Sequence, residues 1–510
     1  MRLLFLISHG LYLRNYGTLV AELARAGHEV VIAKTAAKEV DDTALRRIGN
    51  EVAGVNVVAP PERSAWWWAS NDPLRAVRDY LRYLEPAYLD APRLVGRAAR
   101  RIPAPVKWLF ERSGLAQLAS VRGFIDSGLA AVERATPPDT ALVAWLAEIR
   151  ADAVLVTPLV DFDYVQLDHL KAARSLGVPT GLLVASWDNL TNKGRILIEP
   201  DLVTVWNHHQ AREAREMHGV NPQRIVVTGA QLFDQWFTMR PGTSRENFCA
   251  AAGGLDPARP IILYMCSSSF ICPDEVSIVR RWLLALRTSA DPLVATANVI
   301  VRPHPSHATP WEAVELPQDG GIAAIYPRGG ASPIDKVRQQ DYYDNLYHAG
   351  AIVGVNTSGF LEAAIAGRRS LVLSLPETAP SQEGTLHFRY LLKGGFILRA
   401  GDMESHQAQL GQSLRQSGRI DPIVQAFVAD FLRPNGVGDP ALPKLVAAVT
   451  GLARRPYADV RPAPWWVPAV RALAVPLGLA IRGGYKRRLA LRDASPPVAA
   501  TGRESQYRAP

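Results

Sequence analysis

A polar turn, Asn356-Thr357-Ser358-Gly359, has the residue types of an anion-binding site. It follows an apolar run typical of a buried strand, and a helical pattern begins near Gly359 with Glu362 one turn further on. Backbone N–H groups at a helix start attract anions, and hydroxyls add donors for phosphate. We expect Glu362 to accept a hydrogen bond from a ribose or sugar hydroxyl. The alternative is an ordinary N-cap with an acid in the first turn, which is common.

A second candidate is the sequence Arg302-Pro303-His304-Pro305, at the carboxyl end of another predicted strand. The two prolines restrict the backbone on either side of His304. Arg302 carries a permanent planar cation suited to phosphate, and His304 can donate to a diphosphate leaving group. The alternative is a rigid turn with a structural histidine. Because both motifs lie in the same half of the chain, the sequence favours one shared site.

Polar side chains also follow the strands predicted in the first half of the chain. His9 comes directly after the first strand, and we expect it or Asp163 to act as general base on an acceptor hydroxyl. Asp161, Asp188 and Asn189 are candidates for binding that acceptor. Asp161 and Asp163 are separated by one residue, and two aspartates at this spacing can hold a divalent cation. Such a pair is expected by chance in 510 residues, so no metal is predicted.

These candidates require elements that bring strand ends together. Short apolar runs alternate with helical patterns, which is typical of doubly wound parallel sheets. The predicted strands of the first half are 3–7, 28–33, 153–157, 181–185, 201–206 and 224–228. Those of the second half are 261–266, 298–302, 322–326, 351–355, 370–374 and 396–398. We expect two Rossmann-like domains that face a cleft, because ligands of open α/β sheets bind beyond the carboxyl ends of the strands.

The predicted organisation has three parts. Residues 1–235 form an acceptor domain with a basic helical insertion at about 62–140, and residues 258–450 form the donor domain. Residues 451–510 form a basic tail that contains tryptophan and ends in disorder. This tail accounts for eight of the nine net positive charges of the chain, so the body is nearly neutral.

Two basic segments, 93–122 and 465–492, combine arginine with tryptophan and aliphatic residues. This composition is typical of helices at an anionic membrane surface, although a solvated basic face is the alternative for 93–122. No nucleic-acid partner is predicted, because no recognised binding motif accompanies the charge. The longest apolar stretch near the end, Ala472 to Ile481, is shorter than the ~20 residues that span a bilayer.

Composition and absent motifs exclude several classes. Three cysteines provide neither a disulfide framework nor a cysteine metal site, which fits a reducing compartment. The first apolar run is too short for a secretory signal. The Walker A, G-x-S-x-G, H-E-x-x-H and G-x-G-x-x-G motifs are absent, which argues against P-loop ATPases, serine hydrolases, zincins and common dinucleotide enzymes. We therefore expect a cytoplasmic protein, peripheral on the inner face of the cell membrane.

The motifs resemble the GT-B glycosyltransferase superfamily. The likeness covers roughly residues 1–60 and 150–400, and it includes the stretches 24–30, 200–206 and 219–229. The second half is similar to bacterial cell-surface polymer transferases, including CDP-glycerol glycerophosphotransferases and sialyltransferases. UDP-N-acetylglucosamine 2-epimerases share the architecture. The first loop, however, lacks their Arg-Pro-Glu sequence, and Glu362 is followed by alanine rather than a second acid.

The resemblance implies that His304, Thr357 and Ser358 hold the phosphate of a donor nucleotide. We expect a metal-independent glycosyltransferase that moves a sugar from a nucleotide-activated donor to a sugar or lipid-linked hydroxyl acceptor in cell-surface polysaccharide or glycolipid synthesis. No cofactor is predicted besides the donor, which is a substrate. A 2-epimerase, a CDP-glycerol-type phosphotransferase and a catalytically silent membrane-bound scaffold remain the alternatives.

Overall fold

The computed structural model describes residues 1–35, 42–63, 67–331, 333, 335–382, 384–419, 421–458 and 464–472. The strands of the first sheet are β1 (Arg2–Ile7), β2 (Glu29–Lys34), β3 (Val55–Val58), β4 (Ala153–Thr157), β5 (Thr180–Leu183), β6 (Leu202–Val205) and β7 (Ile225–Val227). Those of the second are β8 (Ile261–Met265), β9 (Asn298–Arg302), β10 (Ala323–Ile325), β11 (Ala351–Gly354), β12 (Ser370–Leu373) and β13 (Ile397–Ala400).

Nineteen α-helices lie among the described residues. They are α1 (Leu13–Arg25), α2 (Thr43–Glu51), α3 (Trp67–Tyr83), α4 (Pro92–Ala99), α5 (Ala104–Ser113), α6 (Ala119–Ala135), α7 (Thr140–Ile149), α8 (Val165–Ser175), α9 (Asn189–Asn192), α10 (His208–His218), α11 (Arg245–Ala251), α12 (Glu275–Arg287), α13 (Pro292–Ala295), α14 (Lys336–His348), α15 (Gly359–Ile365), α16 (Leu386–Lys393), α17 (Met403–Arg415), α18 (Pro422–Phe427) and α19 (Ala441–Ala453).

Both sheets are parallel and doubly wound. The first has the order β3-β2-β1-β4-β5-β6-β7, and the second has the order β10-β9-β8-β11-β12-β13. In each, the strand order reverses beside the first strand of the sheet, so the crevice for a ligand opens between β1 and β4 and between β8 and β11. The predicted fold class, two Rossmann-like domains with doubly wound parallel sheets that face a cleft, is confirmed.

Each sheet is covered on both faces, which explains its continuous apolar strands. Along β1, Leu4 and Leu6 enter one core cluster, whereas Leu3, Phe5 and Ile7 enter the cluster on the opposite face. Successive side chains of a strand point to opposite faces, so a strand with both faces buried contains almost no polar residue. Each such side chain contributes about 1.5–3 kcal/mol when fully buried. The predicted strands all form, but β3 was missed because two of its four residues are exposed.

The basic insertion consists of five helices, α3 to α7, between β3 and β4. Buried ion pairs attach it to the first domain. Arg75 of α3 is almost fully buried, and it pairs with Glu133 of α6 at 2.7 Å and with Asp168 of α8 at 2.6 Å. A buried pair is costly to break, since the remaining charge stays in a poorly solvated site. The insertion is therefore a fixed part of the first domain.

The chain crosses between the two domains twice. After the second domain it returns, and α19 packs against α1 and against β5 and β6 of the first sheet. Asp234, in the first crossing, accepts the backbone N–H groups of Ala441 and Leu442 at 3.0 and 2.8 Å and pairs with Arg433 of the second crossing. The two crossings are thus tied together. The predicted donor domain, 258–450, included most of α19, which the structure instead packs against the first sheet.

The structure describes the start of the predicted membrane segment 465–492, up to residue 472. Trp466 packs under the Arg134 guanidinium of α6, and Arg471 donates to the carbonyl of Ala135 at 3.0 Å. The rest of the predicted membrane segment, residues 473–492, lies outside the described residues. Within the described part of the chain, no helix combines the length and the apolar character that crossing a membrane requires.

Candidate functional site

The predicted phosphate motifs lie at one edge of the second sheet. His304 follows β9, and the turn 356–359 follows β11. Because β8 lies between these parallel strands, both motifs emerge at the same carboxyl edge. Ser267, which follows β8, accepts a hydrogen bond from the backbone N–H of Asn356 at 3.4 Å. The structure therefore places the two motifs at one sheet edge, on either side of β8.

The His304 ring is half-buried and held in one orientation. The backbone N–H of Ser306 donates to its Nδ1 atom at 3.2 Å, and the Ser306 hydroxyl lies 2.9 Å from the same atom. This bond assigns the neutral ring's proton to Nε2. Burial, together with His307 and Arg14, lowers the pKa of His304 below its usual value. At neutral pH the ring is an uncharged donor from Nε2.

The polar turn divides its side chains between internal bonds and exposure. Asn356 is buried and donates to the carbonyl of Ser381 at 2.6 Å. Thr357 accepts the backbone N–H of Gly359 at 3.2 Å. Ser358 is exposed, and its hydroxyl has no hydrogen-bond partner among the described residues. Ser358 is thus the side chain of this turn that a ligand can reach without displacing an internal bond.

Gly359 allows the helix start to lie close against the sheet. A Cβ atom at this position would lie 2.5 Å from the hydroxyl oxygen of Tyr342. Any larger residue would push α15 away from β8 and α14. The glycine therefore has a packing role, and its predicted contact with the donor stays a prediction.

Glu362 of α15 has a carboxyl group with unused bonding capacity. Its Oε2 atom is buried and has no hydrogen-bond partner among the described residues, although the residue as a whole is partly exposed. Burial raises the pKa of Glu362 to about 7, and Arg14 opposes the shift. Buried polar atoms in native proteins are normally paired. A ligand hydroxyl that donates to Glu362 would complete the site.

Arg302 does not have the role expected from the sequence. Its guanidinium is buried, pairs with Asp341 at 3.0 Å and lies 4.7 Å from the ring centre of Tyr342. Its charge is therefore neutralised within the second domain. The expectation that Arg302 supplies a permanent cation to phosphate needs correction, because the partner comes from α14, which the sequence alone did not place beside β9.

Arg14 is a cation that the sequence analysis did not select. Arg14 lies in the first turn of α1. Its side chain is exposed, and it has no ion pair among the described residues. It is close enough to His304 and Glu362 to influence the pKa of both. A signal was present in the sequence, since no acidic residue precedes Glu22.

A cavity of about 460 Å³ lies next to Arg14, between the two domains. The first domain contributes α1 and α2 to its wall, and the second contributes Asp335 and Arg338. Arg338 lies 3.5 Å from Asp335, and Arg47 lies 3.9 Å from Glu51. Among these lining residues, Arg14 is the cation without a partner in the described structure.

The carboxyl edge of the first sheet carries ions that are already paired. Asp161, after β4, accepts from Lys193 at 3.0 Å. Asp188, after β5, accepts from the Ser186 hydroxyl at 2.6 Å. Burial acts to raise the pKa of Asp188, but His387, Lys193 and the Ser186 hydroxyl together lower it below its usual range. Both aspartates influence Tyr12, which places these strand ends in one cluster. Lys193 is a second residue that the sequence analysis missed.

The remaining first-domain candidates, His9, Asp163 and Asn189, differ in how deeply they are buried and in what they contact. The His9 ring lies 4.6 Å from the ring of Tyr12 and is partly buried. Asp163 is exposed and accepts the backbone N–H of Val165 at 3.3 Å, at the start of α8. Asn189 is buried, and its side-chain oxygen accepts from the backbone of Ser186 at 3.2 Å. Asn189 therefore shapes the loop. Among the described residues, no three His, Cys, Asp or Glu side chains gather as a metal site would require.

Comparison with known proteins gives matches at the level of structure. No protein-family model and no curated protein matches the sequence. The UDP-GlcNAc 2-epimerase from Neisseria meningitidis bound to UDP-GlcNAc is 12% identical and has a TM-score of 0.49, with 88% of this chain and 100% of that chain covered. MurG from Acinetobacter baumannii is 11% identical, with a TM-score of 0.45 and coverage of 88% and 99%. A glycosyltransferase from Rickettsia africae is 11% identical, with a TM-score of 0.48 and coverage of 89% and 99%. Values of this size transfer no activity to this chain.

Proposed function

We propose that this protein is a metal-independent glycosyltransferase that moves a sugar from a nucleotide-activated donor to a hydroxyl acceptor. One observation carries the proposal. The Ser358 hydroxyl and the buried Glu362 oxygen, neither bonded within the described structure, share an edge with a neutral His304 and face Arg14. Hydroxyl donors, an imidazole and an arginine suit a diphosphate, and an unpaired carboxyl suits a ribose.

The transfer breaks the bond between the sugar's anomeric carbon and the diphosphate oxygen. The acceptor oxygen forms the new bond at that carbon and loses its proton to a base. Arg14, His304 and Ser358 stabilise the negative charge that develops on the diphosphate. His9 and Asp163 remain the candidate bases at the first-domain edge. Domain closure excludes water and so limits hydrolysis of the donor.

The test has a binding part and a turnover part. Calorimetry against a panel of nucleoside mono- and diphosphates identifies the preferred nucleotide. We expect His304→Ala and Ser358→Ala to weaken that binding by about 10-fold each, the loss expected for a hydrogen bond to a charged group. Ser289→Ala, at the opposite end of the second domain's strands, is the matched control. Wild-type affinity in both site variants would refute the donor site.

Turnover separates the remaining alternatives. A transferase releases the nucleotide only when a hydroxyl acceptor is present. Isomerisation of the donor without any acceptor would identify a 2-epimerase. Transfer of glycerol phosphate with release of CMP would identify the phosphotransferase alternative. Failure to bind any nucleotide in the panel would leave the scaffold alternative.

We further propose that the insertion contacts an anionic membrane surface at the inner face of the cell membrane, where a lipid-linked acceptor is available. Its second half exposes large apolar side chains next to Lys107 and Arg112, and the exposed fraction of Phe124 reaches 82%. These side chains, which we call the apolar patch, are Trp108, Leu109, Leu115, Leu118 and Phe124. Apolar side chains beside cations bind anionic bilayers through burial of apolar surface and through attraction to the lipid charges. Trp465, 89% exposed, is a further candidate.

Vesicle sedimentation tests the patch. We expect the protein to sediment with vesicles of phosphatidylglycerol and phosphatidylcholine, and less with phosphatidylcholine alone. Trp108→Ser combined with Phe124→Ser should abolish most of this binding. Leu284→Ser, which changes an exposed leucine of α12 in the second domain, is the control. Equal sedimentation of the double variant and the wild type would exclude the patch as the contact.

A further inference from the structure

The insertion holds the loop that carries part of the proposed site. Residues 190–193 follow Asp188 and include Lys193, and four consecutive backbone carbonyls of this segment accept hydrogen bonds from insertion side chains. Arg82 donates to Leu190 at 2.9 Å, Tyr88 to Thr191 at 2.9 Å and Tyr83 to Lys193 at 2.7 Å. The carbonyl of Asn192 accepts from Arg97. The loop is therefore held from the insertion side in addition to its bonds within the first domain, where the backbone N–H of Gly194 donates to the carbonyl of Val160 at 2.7 Å and Lys193 pairs with Asp161.

Arg97 differs from the other three because it also reaches the second domain. Its guanidinium lies 5.4 Å from the ring centre of Phe162, which follows β4, and 5.5 Å from that of Phe270, which follows β8. Cations attract aromatic faces within about 6 Å. One side chain of the insertion thus contacts loops at the carboxyl edges of both sheets.

The segment that Arg97 holds makes a second contact between the domains. The side-chain amide of Asn192 donates to Nδ1 of His387 in α16 at 2.8 Å. Burial lowers the pKa of His387 to about 4, so the ring is neutral at physiological pH and can accept this bond. The backbone carbonyl of Asn192 is bound by Arg97 while its side chain bonds to the second domain. Movement of Arg97 would therefore disturb both contacts together.

We propose that Arg97 is a positioning residue that holds the two domains together across the cleft, which makes the insertion a working part of the functional site. This rests on the proposed function for its effect on turnover, but not for its effect on the structure. In this arrangement Arg97 aligns the carboxyl edge of the first sheet, which carries Asp161 and Lys193, with the carboxyl edge of the second sheet, where the donor is proposed to bind. Loss of alignment slows transfer without removing any group that binds the donor.

Arg97→Met removes the charge and the donors but keeps most of the apolar volume, and Arg97→Lys retains a cation with donors. Arg100→Met, at an exposed arginine next to the end of α4, is the matched control. Hydrogen exchange of the ligand-free protein is measured first. Arg97→Met should accelerate exchange at the hydrogen-bonded amides of Asn192 and Gly194 and of Ile271 and Cys272 in the second domain. Arg97→Lys should restore most of the protection, and Arg100→Met should match the wild type.

Turnover gives the second readout. Arg97→Met should lower kcat for transfer by about 10- to 100-fold, the range that small misplacements produce, while the affinity for the donor nucleotide changes less than twofold. The fraction of donor lost to hydrolysis should rise, because a looser cleft admits water. Phe270→Leu should show a smaller change in the same direction.

The two proposals fail in different ways. If amide hydrogens at 190–194 and at 271–272 exchange at the same rate in Arg97→Met as in the wild type, the positioning role is overturned, whatever the activity of the variant. A wild type without transfer to any acceptor would overturn the proposed function and leave the exchange result valid. Faster exchange confined to 190–194, with no change at 271–272, would show that Arg97 supports its own domain only and would also overturn the proposal. Failure of Arg97→Lys to recover protection would count against the role of the cation.

Discussion

The two sheets share a strand order, but the acidic residues at their carboxyl edges differ in whether they have partners. At the first edge the charges are paired, with Lys193 on Asp161 and the Ser186 hydroxyl on Asp188. At the second edge, Ser358 and the Oε2 atom of Glu362 have no bond within the described structure. A paired edge keeps its geometry without a ligand. An edge with unused donors and acceptors gains bonds when a ligand arrives.

This difference indicates how the two domains divide the work. The buried Oε2 atom of Glu362 has no partner in the described structure, which costs about 1–3 kcal/mol, and a ligand that donates to it recovers that cost on binding. The exposed Ser358 hydroxyl carries no such cost, because water can reach it. Under the proposed function, the second edge therefore suits the tightly bound part of the substrate, the nucleotide. The first edge suits orientation of an acceptor, since its ions stay in place whether or not the acceptor is bound.

The largest expected effect comes from breaking the paired edge. Lys193→Met leaves the Asp161 carboxylate without its cation and loosens the loop that ends at Lys193. We expect transfer to fall by about 100-fold, as small errors of alignment produce, with donor affinity unchanged. Steady-state kinetics with separate donor binding checks this. Lys393→Met, at an exposed lysine of α16, should behave as the wild type. A fall in donor affinity instead would mean that the two edges do not divide the work.

The next effect tests whether Arg14 completes the open edge from across the cleft. Arg14→Gln removes the cation that faces His304 and Glu362. We expect nucleoside diphosphate affinity to drop by about 10-fold, in line with a lost charged hydrogen bond. Calorimetry measures the drop, and Arg25→Gln at the other end of α1 is the control. Because Arg14 lowers the pKa of His304, the variant should also raise that pKa, which NMR titration detects.

A smaller effect concerns pH. The pKa of Glu362 is raised to about 7 in the unliganded protein, so the carboxyl is about half ionised at neutral pH. A ribose hydroxyl that donates to the carboxylate favours the ionised form, so nucleotide affinity should increase several-fold as pH rises from 6 to 8. His304, with its lowered pKa, stays neutral over most of this range. Glu362→Gln should remove the dependence, whereas Glu404→Gln, at the first-turn acid of α17, should retain it. A flat wild-type profile would contradict the role of Glu362.

The smallest effect refines the His304 orientation. Ser306→Ala deletes the hydroxyl near Nδ1 but keeps the backbone N–H that donates to it. We expect about a twofold loss of nucleotide affinity, since one neutral hydrogen bond contributes about 0.5–1.5 kcal/mol and the backbone bond remains. Thr309→Ala, a short distance along the same loop, is the comparison. A loss as large as that of His304→Ala would show that the hydroxyl itself contacts the ligand.

Several site residues could be selected from the sequence because they immediately follow strands. His304 and Ser358 were found in this way, and Glu362 was found as the acid in the first turn of the next helix. The structure brings all three to one edge, although their roles stay predictions. Arg14 and Lys193 were missed. Neither belongs to a recognisable motif, and their importance depends on which charges lie near them in space.

Local sequence determined the strands, because a strand covered on both faces must be largely apolar along its length. The alternation of these strands with helical patterns then predicted two Rossmann-like domains with a cleft. Tertiary structure decided which charges were neutralised. Arg302 and Asp341 are 39 residues apart, and Asp161 and Lys193 are 32 apart, yet each pair is in contact. Ion pairing depends on distance in space, and hydropathy along the chain does not encode that distance. The same reason hid the role of the insertion, whose arginines read as a basic surface but include the side chains that hold the cleft.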